Sequence, residues 1–165
     1  MDRGAIAGWD GAKVKCGTVT TDSGSLIGVP YSPVTRFERE AGPPATTPEE
    51  LLAAAYASCF TMTFAQQLTA AGHTASSLRT EVRVQLVKPH GYWEIPAIRV
   101  HCSAAVRGIT ESEFLKIAHA ARMSGPIARA LRSEITLTVS LDRAPGREWQ
   151  LPLGPPVERE TSAHL

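Results

Sequence analysis

From Leu51 to Leu78 the chain carries no Asp, Glu, Lys or Arg. Thr47-Pro48-Glu49-Glu50 stands directly before this stretch, and Gly72 falls near its end. The four residues predict a helix start. Thr is the N-cap, Pro the first helical position and Glu the third, with carboxylates at the positive end of the helix dipole. Glycine is the residue that most often follows a helix end. The spacing predicts a helix from Pro48 to about Ala71, about 36 Å long. A helix of that length without charge along its body cannot present a fully solvated face. It must be central and covered on most sides.

The chain supplies enough surface to bury such a helix. Its 165 residues and 17.7 kDa scale to about 7,900 Å² folded against about 25,700 Å² unfolded. Length favours one domain. Seventeen Lys and Arg against sixteen Asp and Glu leave a formal charge of +1. That balance argues against a nucleic-acid binder, an acidic tail and a polybasic membrane segment. Six hydroxyl and amide side chains between Ser58 and Thr69 make the apolar stretch a poor membrane span. The opening Met1-Asp2-Arg3-Gly4 lacks the basic-then-apolar pattern of a signal peptide. The expectation is a cytoplasmic protein with reduced cysteines.

Around the helix the pattern alternates. Ala5 to Trp9, Lys13 to Cys16 and Ser25 to Val29 predict three short strands, the first two joined at Asp10-Gly11. Pro30 to Thr46 predicts a loop. Glu81 to Val87 and Ile98 to Val106 predict two more strands of period two, with a turn at Pro89-His90-Gly91. Thr110-Glu111-Ser112-Glu113 opens a second capped helix with Phe114, Leu115, Ile117, Ala118 and Ala121 on its apolar side. Ser124-Gly125-Pro126 breaks it, a short helix runs to Leu131, and Glu134 to Leu141 predicts a last strand. The order predicts an α+β fold with antiparallel sheet, in one domain over residues 1–142. Residues 143–165, with four prolines, read as a C-terminal tail.

The chemistry is narrow. No histidine pairs with another ligand type at zinc spacing, and there is no C-x-x-C or H-E-x-x-H, so no metal is expected. Phosphate-cradling glycine loops and the G-x-S-x-G elbow are absent from the sequence, and no cofactor is expected. The three cysteines, Cys16, Cys59 and Cys102, are an odd number, which excludes a complete disulfide framework. Cys16 and Cys102 share strand parity with apolar neighbours and read as packing. Cys59, in the long helix, also reads first as packing, since free cysteine is among the most buried residue types, with chemistry the alternative. A useful thiolate needs a nearby cation, and the nearest supply is Arg36-Phe37-Glu38-Arg39.

Thr35-Arg36-Phe37-Glu38 and the run Thr47-Pro48-Glu49-Glu50-Leu51-Leu52-Ala53-Ala54-Ala55-Tyr56-Ala57-Ser58-Cys59-Phe60 resemble the OsmC/Ohr family, the osmotically inducible and organic hydroperoxide resistance proteins. Ala7-Gly8-Trp9-Asp10-Gly11, Ser23-Gly24 and Leu131 to Leu141 extend the likeness over about residues 5–142. The resemblance implies an intertwined homodimer whose sheets wrap two long central helices. It implies a thiol peroxidase for organic hydroperoxides in oxidative-stress defence, with hydrogen peroxide a further candidate substrate. Cys59 would be the peroxidatic thiolate, Arg36 its stabilising cation and Glu49 the carboxylate that holds Arg36. Tyr56, Phe60 and Met62 near Cys59, with Phe37 after Arg36, are candidate pocket walls.

Glu49 and Cys59 are ten residues apart, about 15 Å along a regular helix and about 80° apart around its axis. One arginine does not easily hold both on one helix. Either the helix breaks, or the site is composite across a dimer seam; the second is expected here. The resemblance also places the family's second, resolving cysteine at Gly125, in Met123-Ser124-Gly125-Pro126. Its loss leaves three routes open. An external thiol could reduce Cys59 in a one-cysteine cycle, Cys16 or Cys102 could substitute, or the scaffold could serve other cysteine chemistry in a pocket widened at Gly125. Ala41-Gly42-Pro43-Pro44, an apparent insertion before Glu49, would reshape access. A non-catalytic dimeric binding protein is the alternative of a different class.

Overall fold

The computed structural model describes residues 1–10, 16–37 and 45–142, the side chains of Arg36 and Phe37 excepted. The turn at Gly11, the strand expected from Lys13 to Lys15, the Ala41–Pro44 insertion and the Pro-rich tail therefore lie outside the described residues. Elements follow in the order β1 (Ala5–Asp10), β2 (Cys16–Thr21), β3 (Val29–Tyr31), α1 (Pro33–Phe37), α2 (Pro48–Ala70), β4 (Ala75–Val84), β5 (Ala97–Val106), α3 (Glu111–Ser124), α4 (Pro126–Ala130) and β6 (Glu134–Leu141). They form two three-stranded sheets, β1-β2-β3 and β4-β5-β6.

The caps of α2 are those the sequence predicts, with one change. Thr47 Oγ1 accepts from the Glu50 backbone N–H at 3.2 Å. Glu50 Oε2 in turn accepts from the hydroxyl of Thr46, also at 3.2 Å. At the other end Gly72 adopts φ 84°, a left-handed conformation that glycine takes without steric cost. His73 N–H then reaches Leu68 O at 2.9 Å and Gly72 N–H reaches Thr69 O at 3.0 Å. These are the paired bonds of a Schellman stop. The helix is unbroken between its caps, and no described helix is long and apolar enough to cross a membrane.

Tyr56, Phe60, Phe64 and Leu68 form the buried stripe of α2 at i, i+4, i+8 and i+12. They pack with Ile98, Val100 and Cys102 of β5 and with Phe114, Ala118 and Ala121 of α3. The rings of Phe60, Phe64 and Phe114 stand 5.6 and 5.4 Å apart between successive centroids, within the range that favours tilted aromatic pairs. Phe64 is fully buried at their centre. Phe64→Ala should destabilise the protein by about 3–5 kcal/mol, through lost burial and the cavity left behind. Urea unfolding checks this by a lowered midpoint at unchanged slope.

Several boundaries differ from expectation. The third strand covers Val29–Tyr31 rather than Ser25 to Val29, because Thr21 and Leu26 close a turn through Thr21 N–H to Leu26 O at 2.9 Å. Part of the expected Pro30–Thr46 loop is thus strand, and Pro33–Phe37 is the helical turn α1. β4 begins at Ala75, six residues before the expected start, with a bulge before Ser77. Leu115 is exposed rather than packed on the apolar side of α3. β4 pairs with β5 antiparallel as expected, but β5 pairs with β6 parallel, so the larger sheet is mixed. The α3–α4 crossover between β5 and β6 supplies the connection a parallel pair requires.

Candidate functional site

Cys59 lies on the margin between the buried and open sides of α2. At 100° per residue, Tyr56 and Thr63 fall about 60° and 40° to one side of it, and Met62 and Ala55 about 60° and 40° to the other. Tyr56 is 1% exposed and Met62 64% exposed. The sulfur is therefore half-buried, walled by core on one flank and open on the other. Phe60, expected as a pocket wall, instead belongs to the aromatic core.

Thr63 and Gln67 follow Cys59 at i+4 and i+8 and face the junction of α3 and α4. Thr63 Oγ1 donates to Cys59 O at 2.9 Å. Gln67 Nε2 donates to Ser124 Oγ at 2.7 Å, which holds the end of α3 against α2. At this junction stands Gly125, whose N–H reaches Ala121 O at 3.2 Å and whose own O accepts from Arg129 N–H at 3.1 Å. A Cβ built on Gly125 would lie 3.6 Å from Cys59 Sγ, 3.6 Å from Ala121 O and 3.9 Å from Thr63 Oγ1. The structure thus brings Cys59 and Gly125 together, although 66 positions separate them in the chain.

Tyr56 has a second property. Its hydroxyl is buried and has no hydrogen-bond partner within the described chain. Burial raises its pKa above the usual phenol value; the Arg122 guanidinium lowers it and the neighbouring Cys59 raises it. Arg122 is held by donation from Nη1 to Ile135 O at 3.1 Å. Neither Arg122 nor Thr63 is marked by the sequence as part of this region. The i+4 spacing from Cys59 is the signal for Thr63; Arg122 has none, since it arrives by packing of α3.

The other two thiols are elsewhere. Cys102 is fully buried in β5. Its sulfur accepts from Thr80 Oγ1 at 3.5 Å, and Thr80 shares a 2.6 Å hydrogen bond with Thr61 of α2. Thr61 is two residues past Cys59, about 200° around the helix, so Cys102 faces the opposite side of α2. Burial pushes the Cys102 thiol up, opposed by the Thr80 hydrogen bond. Cys16 begins β2, opposite Asp10 of β1.

Glu49, in the first turn of α2, is half-buried and engaged within the structure. Arg36 and Phe37 close α1, and their side chains lie outside the described residues. The backbone of α1 is tied to the start of α2. Thr35 Oγ1 donates to Thr46 O at 3.4 Å, and Thr46 N–H donates to Pro30 O at 2.8 Å. Thr35, the residue before Arg36, is thus tied to the segment that leads into α2.

These elements have counterparts in known proteins. Residues 40–140 match the profile of the family described as OsmC-like protein. Peroxiredoxin OsmC of Escherichia coli is 41% identical over 136 residues, covering 82% of this chain and 93% of that protein. An OsmC-like protein of unknown function from Vibrio cholerae has the same fold, with TM-score 0.71 at 17% identity over 85% of this chain and 99% of that one. An organic hydroperoxide resistance protein from Elizabethkingia anophelis follows at TM-score 0.65 and 25% identity, over 86% of this chain and 97% of that one. With a profile match over more than half its length and a full-length relative at this identity, the chain belongs to the OsmC-like protein family.

Proposed function

We propose that this protein is a thiol-dependent peroxidase that reduces organic hydroperoxides through Cys59. The observation that carries the proposal is the 41% identity to Peroxiredoxin OsmC across 93% of that protein, in a chain whose helix leaves one half-buried sulfur at an open margin. The Cys59 thiolate attacks the outer peroxide oxygen. The O–O bond breaks, the alkoxide takes a proton and leaves as alcohol, and Cys59 is oxidised to a sulfenic acid. Met62, 64% exposed one turn past Cys59, gives the approach an apolar wall, while Tyr56 like Phe60 belongs to the core. Such a wall gains about 25 cal/mol per Å² of substrate carbon it covers, which favours organic over hydrogen peroxide.

The site is composite in a homodimer. Glu49 and Cys59 share one unbroken helix and are about 15 Å apart along it. The backbone next to Arg36 is tied through Thr35 to Thr46, three residues before Glu49. The pair Arg36–Glu49 of one copy therefore serves Cys59 of the other. Two open surfaces of the single chain support this arrangement. All six residues of β1 are exposed, including Ile6 at 74% and Trp9 at 53%. The open face of α2, with Ala55, Ser58, Met62 and Gln66, carries no charge, and an uncharged helix face of this length calls for a covering partner.

With Gly125 in place of a resolving cysteine, the cycle has one cysteine and an external thiol restores it. Treatment with one equivalent of cumene hydroperoxide and a sulfenic-acid trap tests the proposal by intact mass. One adduct is expected on the wild type and none on Cys59→Ser. An unmodified wild-type protein would overturn it.

A further inference from the structure

The face of β4-β5-β6 turned away from the core carries charges that neither the fold nor the Cys59 chemistry uses. Glu81, Arg83, Arg99, His101, Thr136 and Thr138 are all exposed there and, with Val100, line a groove of about 310 Å³. The register sets them in two rows. Arg83, Arg99 and Thr136 are direct neighbours across the three strands, and Glu81, His101 and Thr138 form the next row.

Arg83 and Arg99 are like charges directly opposite each other, an arrangement that costs stability. Arg83 stands on an edge strand of this sheet, where charge guards against unwanted pairing. It is also held, donating from Nε and Nη2 to Glu81 Oε1 at 2.8 and 2.6 Å. Arg99 has neither reason. It sits on the central strand, and its guanidinium has no hydrogen bond or ion pair among the described residues. His101 adds a defined tautomer. Thr138 Oγ1 donates its one proton to Val100 O at 3.3 Å. It therefore accepts from His101 Nδ1–H at 3.1 Å. Nε2 is left without a partner among the described residues, and a proton there makes it a second donor.

We infer that this groove binds a tetrahedral oxyanion, the phosphoryl group of free phosphate or of a small phosphate monoester. Arg99 supplies the guanidinium fork, which suits phosphate oxygens. Thr136 brings a hydroxyl from one neighbouring strand and Arg83 a second cation from the other. Protonated His101 brings an N–H from the next row, and a dianion beside it favours that protonated form. Donors that come from three strands and two rows surround a tetrahedron, whereas a planar carboxylate meets only those near one plane. The bound charge also offsets the Arg83–Arg99 repulsion. The other charged groups on this face are Arg79, two residues before Glu81, and Glu134, one row beyond Thr136 at the start of β6. The site is independent of the chemistry proposed for Cys59.

Inorganic phosphate, titrated at constant ionic strength into ¹⁵N-labelled protein, tests the inference. Backbone N–H shifts should saturate and concentrate at Arg99, His101, Thr136 and Thr138. Arg99→Gln should weaken binding about tenfold or more, the scale of a lost hydrogen bond to a charged group. Its spectrum should stay dispersed, because the substitution removes a repulsion. Lys116→Gln takes the same charge from the exposed side of α3, on the other face of the sheet, and should bind within about twofold of wild type. Glu81→Gln should bind more tightly, since it removes a carboxylate and frees Arg83. Ribose 5-phosphate distinguishes the two sources: tighter binding than phosphate names the monoester, and equal or weaker binding names the free ion. Shifts that never saturate with either probe, or an equal loss in Arg99→Gln and Lys116→Gln, would overturn the inference, whatever the outcome for Cys59.

Discussion

Cys59→Ser should lower steady-state peroxide consumption by at least about 10³-fold, the scale on which loss of a nucleophile ranks. Cys16→Ser and Cys102→Ser should keep most of the activity. The contrast follows from where each sulfur stands. Cys59 is half-buried at the margin of the exposed face of α2. Cys102 is fully buried, its thiol is pushed up by burial, and a protonated thiol is a poor nucleophile. A hydroxyl at 102 would be less at home among Val100, Ala104 and the aromatic cluster. Cys102→Ser should therefore lose stability, on the order of 1–3 kcal/mol, while turning over normally below its unfolding transition. Cumene hydroperoxide consumption with excess dithiothreitol measures turnover, and thermal unfolding measures stability. Equal activity loss in Cys102→Ser and Cys59→Ser at a temperature where both are folded would contradict the assignment.

The long helix was legible because both of its ends are chemical signals. Thr47 and Gly72 need no tertiary context to act as caps. The side of α2 that is buried was less legible, since apolar and small residues surround the axis and no charge marks the open face. That is why Phe60 reads from sequence as a pocket wall and stands in the core. Alternation in Glu134 to Leu141 identifies a strand, but the same alternation serves parallel and antiparallel neighbours, so the β5–β6 pairing could not be read from it. β4 hides its first turn behind Ser76 and Ser77, and β3 contains Pro30, a residue that argues against strand from sequence alone. The meeting of Cys59 with Gly125 depends on α3 and α4 packing back on α2. Only a family resemblance could suggest it beforehand.

A hybrid dimer should recover activity that neither parent has. On the proposed composite site, a Cys59→Ser homodimer lacks the nucleophile at both sites, and a Glu49→Gln homodimer lacks at both the carboxylate proposed to hold Arg36. When the two variants share one dimer, the composite arrangement pairs the intact Glu49 of one chain with the intact Cys59 of the other. One of the two sites is then complete. Random re-pairing of equal amounts gives half hybrids with one working site in two, hence about a quarter of wild-type turnover per chain for a two-fold symmetric interface. Were the whole site built within one chain, every site in the mixture would carry one defect, and mixing would give only the average of the parents. The separation of about 15 Å between Glu49 and Cys59 along α2, with no break between its caps, is what favours the first outcome. Arg36→Ala should complement Cys59→Ser in the same way, because α1 is anchored through Thr46 to the Glu49 end of its own helix. Arg36→Ala should fail to complement Glu49→Gln beyond the residual Glu49→Gln activity. Each mixed dimer from those two variants has one site with both defects and one with neither, unless both residues come from the same chain; in that case each site keeps exactly one defect. Complementation by the first two pairs and its absence in the third would place Arg36 and Glu49 on one copy and Cys59 on its partner.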